Sequence, residues 1–195
     1  MTGWQSFTSR RGGLRRWLSA SGSLSARLAA TGEVFSVHVL SQGRQPLTQD
    51  EALALGLGKR RLGYAREVVL RVDGKPMVFA RSVTAHANAM GAWRSVQGLG
   101  NRPLADVLFR HLGICRAPLE FAQPKRHSPL QRHVSKAWFE ASGAHASHAA
   151  LPARRSVFTR HRAALLVMEV FAADAAHWQW PDDAPIRRSN PRKLP

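Results

Sequence analysis

Between Tyr64 and Thr84 two β-rich runs alternate around Asp73-Gly74, and Asp-Gly flanked by alternating apolar residues is the strongest short hairpin signal. With Asp73 and Gly74 as a two-residue turn, Val72 pairs with Lys75. Counting outward, Leu70 pairs with Met77, Val68 with Phe79 and Arg66 with Arg81. Alternation then places Tyr64, Arg66, Val68 and Leu70 on one face of the sheet. Residues 157–160 and 165–172 predict a second hairpin around His161-Arg162. Residues 33–40 predict a further strand closed by Ser41-Gln42-Gly43, and residues 118–122 a short one. Helical signals are shorter. Residues 23–32 read as a helix with Ser23 as its cap and Gly32 as its terminator. A loop or helical turn follows over residues 48–57. Residues 87–97 predict a helix ending at Gly98-Leu99-Gly100, and Pro103 suits the first turn of another running to residue 112.

The pattern changes at both ends and once in the middle. Residues 1–12 read as a flexible basic arm, and residues 178–195, rich in Pro and Arg, as a loose tail. Residues 124–152 read as a basic insertion, helical over 130–141, with His127, His133, His145 and His148 and Glu140 as its only acid. What remains, residues 13–177, is one domain's worth of chain.

Charge adds what periodicity cannot. The 195 residues carry a formal net charge of +17, a balance suited to nucleic acid, anionic lipid or acidic metabolites. Nucleic acid is disfavoured as a partner, because the arginines are scattered and no zinc-finger, helix-turn-helix or RNP pattern occurs. Cys115 is the single cysteine, which excludes an intramolecular disulfide and a cysteine metal cluster and fits a cytoplasmic location. It reads as a small core residue. His145 and His148 suit one helical face, but no third metal ligand has matching spacing. No signal peptide or membrane span is evident.

Two placements of charge point to chemistry. Directly opposed strand residues have Cβ atoms roughly 5 Å apart, and at an effective dielectric of 20 two guanidiniums so placed repel by about 3 kcal/mol. Arg66 and Arg81 in the predicted register therefore call for an anion between them, and read as the wall of a pocket for a carboxylate-bearing ligand. Glu169 shares a predicted strand face with Leu165, Val167 and Phe171. Desolvation should raise its pKa and a nearby arginine should lower it. Two readings stand side by side: a structural ion pair with Arg66 or Arg81, or a carboxyl that exchanges a proton with a bound hydroxyl.

Several patches in consistent order resemble the chorismate pyruvate-lyase family. They are Arg16-Trp17-Leu18, Ser23-Leu24-Ser25-Ala26-Arg27, Ser36-Val37, Arg66-Glu67-Val68, Asp73-Gly74-Lys75-Pro76 and Ala80-Arg81-Ser82-Val83. They continue with Leu99-Gly100-Asn101-Arg102-Pro103-Leu104, Leu108-Phe109, and Leu165-Leu166-Val167-Met168-Glu169-Val170-Phe171. The resemblance implies a single α+β domain, an antiparallel sheet with helices on one side forming flaps over a buried ligand pocket. It implies cofactor-independent conversion of chorismate to 4-hydroxybenzoate and pyruvate, the first committed step of ubiquinone biosynthesis; the alternative is a non-catalytic binding module for aromatic carboxylates of the same fold, and a monomer is expected. It also implies that Arg66 holds the ring carboxylate, that Glu169 meets the para hydroxyl, that Arg81 matches the family's second hairpin arginine, and that backbone groups of Leu24 and Leu104 complete the cage; because the substrate is a dianion, Arg81 is expected to take its second, enolpyruvyl carboxylate. Departures are leucine at position 24, where the family often has methionine, the long segment 124–152 and the extended tail. The excess positive charge suits steering of a dianionic substrate, and also peripheral association with anionic membrane.

Overall fold

In the computed structural model, which describes residues 3–58, 62–109, 113–125, 128–143 and 151–181, both predicted hairpins form. β1 (Phe35–Pro46), β2 (Leu62–Val72) and β3 (Lys75–Ala85) follow one another. β4 (Cys115–Arg116), β5 (Glu120–Ala122), β6 (Ala153–Arg160) and β7 (Ala163–Phe171) complete the sheet. Asp73 (φ 49°) and Gly74 (φ 76°) make the first turn, and His161 (φ 48°) and Arg162 (φ 62°) the second. Positive φ at both central residues is the turn whose twist matches that of the flanking strands. Every pairing is antiparallel, in the order β1-β2-β3-β7-β6-β4, with β5 also on β6. β1 runs beyond the predicted stop at residues 41–43 because a bulge at Val39/Ser41 lets it continue along β2 to Pro46.

The register of the first hairpin differs from the count made from its turn. Val72 faces Lys75 and Arg71 faces Pro76, but Leu70 faces Val78. Met77 is the extra residue. Pro76 has no N–H to give to the ladder, and a bulge beside it moves every later side chain to the other face. Arg66 therefore faces Ser82, and Arg81 faces Glu67. The two arginines do not oppose each other; they stand on opposite faces of the sheet.

Paired residues sort into two surfaces. One carries the rows Arg66–Ser82–Val167–Ser156 and Val68–Ala80–Glu169–Arg154; the other carries Glu67–Arg81–Met168–Arg155 and Val69–Phe79–Val170–Ala153. Helix α1 (Gly12–Leu18) and α2 (Leu24–Ala29) pack on the first surface, where Trp17 and Leu28 lie fully buried with Val68, Leu70, Val78 and Phe171. Ser23 caps α2 as predicted, its Oγ accepting from Ala26 N–H at 3.0 Å. The predicted helix over residues 87–97 is broken into α4 (His86–Met90) and a 3₁₀ turn at Arg94–Val96, with α5 (Ala105–Leu108) after it.

Helices also cover the second surface, which the expectation of flaps on one side did not include. α3 (Gln49–Ala54) opens on a capping box between Thr48 and Glu51. α6 (Pro129–Ser142) lies within the basic insertion and sets Val134, Ala137 and Trp138 against Val69 and Phe79.

The ends are held more firmly than their composition indicated. Trp4 Nε1 donates to Asp50 at 3.0 Å, and Gln5 bridges Phe121, so this part of the basic arm is anchored. Trp178 and Trp180 meet Trp17 edge-on, with ring centroids 5.5 and 5.0 Å away, so the tail begins packed. Aromatic burial wins locally over a Pro- and Arg-rich context. Cys115 is exposed, because two-residue β4 sits at the sheet's edge. His127, His145, His148 and residues 182–195 lie outside the described residues.

Candidate active site

A cavity opens on the first surface, roofed by Leu24 and Ser25 of α2 and by Pro103, Leu104, Ala105 and Leu108 at α5. Its floor is the two strand rows of Arg66 and Glu169. It measures about 60 Å³ as room for the centres of water molecules, several times the ~10–15 Å³ one water needs. Four of the five residues singled out in the sequence, Arg66, Glu169, Leu24 and Leu104, line it; Arg81 does not.

Arg66 is 2% exposed. One Nη donates to Gly100 O at 2.8 Å and to Arg102 O at 3.0 Å, so the loop before α5 holds the guanidinium in place. Its Nε is buried with no hydrogen-bond partner. Burial pulls its pKa below the ordinary arginine value, with Tyr64 opposing, but a guanidinium keeps its charge even so. A fixed cation with a free buried donor has the chemistry to accept a carboxylate.

Glu169 stands one strand beyond β3, two residues along the ladder from Arg66's row. Strand spacing and rise put the two Cα atoms about 12 Å apart, with Val68 and Ala80 between them on the floor. Glu169 is paired, but with neither arginine weighed from the sequence. Arg154 Nε donates to its Oε2 at 2.5 Å. Arg154 Nη1 donates to Trp17 O, Leu18 O and Ala20 O at 3.2, 3.1 and 3.0 Å. The pair joins the sheet to the end of α1 and orients the carboxylate at the cavity.

Sequence reasoning missed Arg154, although the second turn contained it: counting outward from His161-Arg162 gives Arg160–Ala163, Phe158–Leu165, Ser156–Val167 and Arg154–Glu169. The strand predicted from periodicity begins at residue 157, too late to reach it. Arg116, also on the cavity wall, sits on a strand of two residues that no periodicity announces.

Arg81 belongs to a different structure on the second surface. Its Nε donates to Glu51 Oε1 at 2.6 Å, and its Nη1 to Glu67 Oε1 at 2.7 Å and Gln45 Oε1 at 2.9 Å. His133 of α6 reaches the same Glu67 oxygen at 2.8 Å. Burial alone would raise the Glu67 carboxyl, but His133 and Arg81 outweigh it and hold the group at about 2. The hydrogen bond to Glu67 raises the His133 pKa against its own partial burial. The guanidinium that was expected to meet a ligand is thus saturated by protein carboxylates.

The family profile for chorismate lyase matches residues 4–180. A protein of Albidiferax ferrireducens described as "Probable chorismate pyruvate-lyase" is 60% identical over 177 residues, covering 91% of this chain and 90% of that one. One of Aromatoleum aromaticum with the same description is 42% identical over 158 residues, covering 81% and 83%. Among solved structures the fold is similar to PhnF from Mycobacterium smegmatis, with a TM-score of 0.54 at 15% identity, covering 80% of this chain and 66% of that one. It is also similar to the C-terminal domain of the histidine utilization repressor from Pseudomonas syringae pv. tomato, with a TM-score of 0.52 at 8% identity, covering 73% and 94%. At these identities the likeness is one of fold.

Proposed function

The chain belongs to the chorismate lyase family, and from that premise we propose that its cavity converts chorismate to 4-hydroxybenzoate and pyruvate, with Arg66 on the ring carboxylate and Glu169 at the hydroxyl. The observation that carries the reading is one cavity floor with a buried, partly unsatisfied guanidinium at one place and an oriented carboxylate about 12 Å away at Cα, with apolar side chains between. That layout suits a single ring with polar groups at opposite ends.

In the reaction the C3–O bond to the enolpyruvyl group breaks and the C4 hydrogen leaves as a proton. The ring becomes aromatic, and enolpyruvate takes up a proton at its methylene carbon to become pyruvate. Aromatisation makes this downhill. The protein's task is to hold the ether in line for proton movement and to stabilise charge on the departing oxygen. Arg66 fixes the ring, and Leu24 and Leu104 close the roof with apolar bulk and backbone groups. Glu169 accepts a hydrogen bond from the C4 hydroxyl and, being next to C4, is placed to serve as a base. Gly32 follows α2 and Gly98 and Gly100 precede α5, so the roof segments over the enclosed product are the parts that open for its release. No step calls on a cofactor.

The product is the ring precursor at the head of ubiquinone biosynthesis, and we assign the chain, acting as a monomer, to that first committed step. Incubating the purified chain with chorismate should release 4-hydroxybenzoate and pyruvate in equal amounts. Arg66→Met should remove most turnover and raise the Kd for 4-hydroxybenzoate by roughly 10- to 100-fold, the worth of a charged hydrogen-bond pair. Full activity in that variant would refute the assignment.

A further inference from the structure

The cavity wall includes a third guanidinium, and the chain does not fully satisfy it. Arg116 pairs with Phe158 across β4 and β6, so it shares the cavity face. Its Cζ lies 5.3 Å from the centroid of the Phe158 ring, and its Nε is buried without a hydrogen-bond partner. Burial lowers its pKa, Arg154 lowers it further, and Glu169 opposes them. An arginine there remains charged, and a buried donor left unmade is unfavourable. The wall thus holds a cation next to a second cation, with a hydrogen-bond position open.

We propose that Arg116 binds the enolpyruvyl carboxylate of chorismate, an assignment that rests on the lyase reading of the same cavity. Chorismate carries its ring carboxylate on C1, its hydroxyl on C4 and the enolpyruvyl ether on C3, beside the hydroxyl. With the ring carboxylate on Arg66 and the hydroxyl at Glu169, the ether departs from the carbon next to the Glu169 contact. The second carboxylate then belongs on the Glu169 side, away from Arg66. Across the strands Arg116 is on that side, beyond Glu169 as seen from Arg66. Glu169 and Arg154 are the charges it senses, while Arg66 senses Tyr64. Along the sheet Arg66 stands on β2 and Arg116 on β4, with Glu169 on β7 between them.

The charge balance agrees. Three guanidiniums and one carboxylate on the wall leave a net +2, the complement of a dianion. Arg154 is committed to Glu169 and three carbonyls, which leaves Arg66 and Arg116 as the two with open buried Nε positions. After elimination the aromatic product retains only the ring carboxylate, and the anion on Arg116 leaves as pyruvate. Arg116 therefore distinguishes substrate from product, while Arg66 grips both.

The test uses the full chain, with kcat/KM for chorismate and the Kd for 4-hydroxybenzoate measured in Arg116→Met and, should that variant not fold, in Arg116→Gln. Loss of one charged contact predicts a roughly 10- to 100-fold fall in kcat/KM, with product affinity kept within about twofold. Unchanged kcat/KM, or equal losses in both quantities, would overturn the proposal while the wild-type chain still turned over chorismate. A wild-type chain that releases no pyruvate from chorismate would remove the lyase reading itself, and this inference with it.

Discussion

Replacing Arg81 with methionine tests the sheet register directly. Arg81, Glu51 and Glu67 are 9%, 8% and 5% exposed, and the guanidinium spans both carboxylates with bonds of 2.6 and 2.7 Å. Removing the cation leaves two buried carboxylates facing each other. Breaking a buried pair by deleting one partner costs about 3–5 kcal/mol. For a chain of this size each kcal/mol moves Tm by roughly 2–4 °C, so the melting midpoint should fall by about 6–20 °C. Circular dichroism melts of wild type and Arg81→Met at neutral pH measure it. Arg81→Lys should fall between them, because an ammonium cannot fork to both carboxylates. Adding Glu67→Gln to Arg81→Met should restore part of the loss, since it removes one stranded charge. A shift below about 2 °C in Arg81→Met would mean that the guanidinium is not enclosed by carboxylates, and the slip at Met77 would be refuted with it.

Two further outcomes follow from the same geometry. Glu169→Gln keeps the shape of the side chain but removes the proposed base and weakens the hold on Arg154; kcat should drop on the order of 100-fold, with a much smaller change in 4-hydroxybenzoate affinity, and equal losses in titration and turnover would reduce Glu169 to a binding role. The His133–Glu67 pair makes stability depend on pH in a defined direction: the folded His133 pKa lies above its unfolded value, so its contribution is complete below about 6.5 and is lost as pH rises through the folded value. Glu67, held at about 2, contributes above its unfolded value of about 4.5 and loses that only as pH falls toward the folded one. Melts of wild type and His133→Gln from about pH 6 to 9 should therefore diverge at the acid end and converge at the alkaline end, and parallel curves would contradict the pairing.

Local chemistry was readable where one residue type forces one conformation. Asp73-Gly74 announced its turn, and Ser23 announced the start of α2. Arg66 and Glu169 stood out because charge on an apolar face is expensive, and the cavity is where both meet. Arg81 looked equivalent to Arg66 by the same logic and was not, because a bulge is decided by the ladder around Pro76 and Met77 and leaves no periodic trace. The partner of Glu169 is within reach of counting from the second turn, but the first residues of β6, Ala153-Arg154-Arg155-Ser156, carry no apolar alternation to mark them as strand. Arg116 was out of reach. A two-residue strand has no pattern of its own, and its place beside β6 depends on contacts distant in sequence.

The extra residue at Met77 shifts the phase of everything after it, and in doing so gives the sheet two independent jobs. One side is a chamber with positive charge left unspent; the other is a rivet whose cation is fully occupied. Because the backbone layer lies between them, the rivet can be loosened or tightened by substitution without touching a side chain that lines the chamber. An engineer seeking a hardier variant should work at Gln45, Glu51, Glu67 and His133 and leave the opposite row alone.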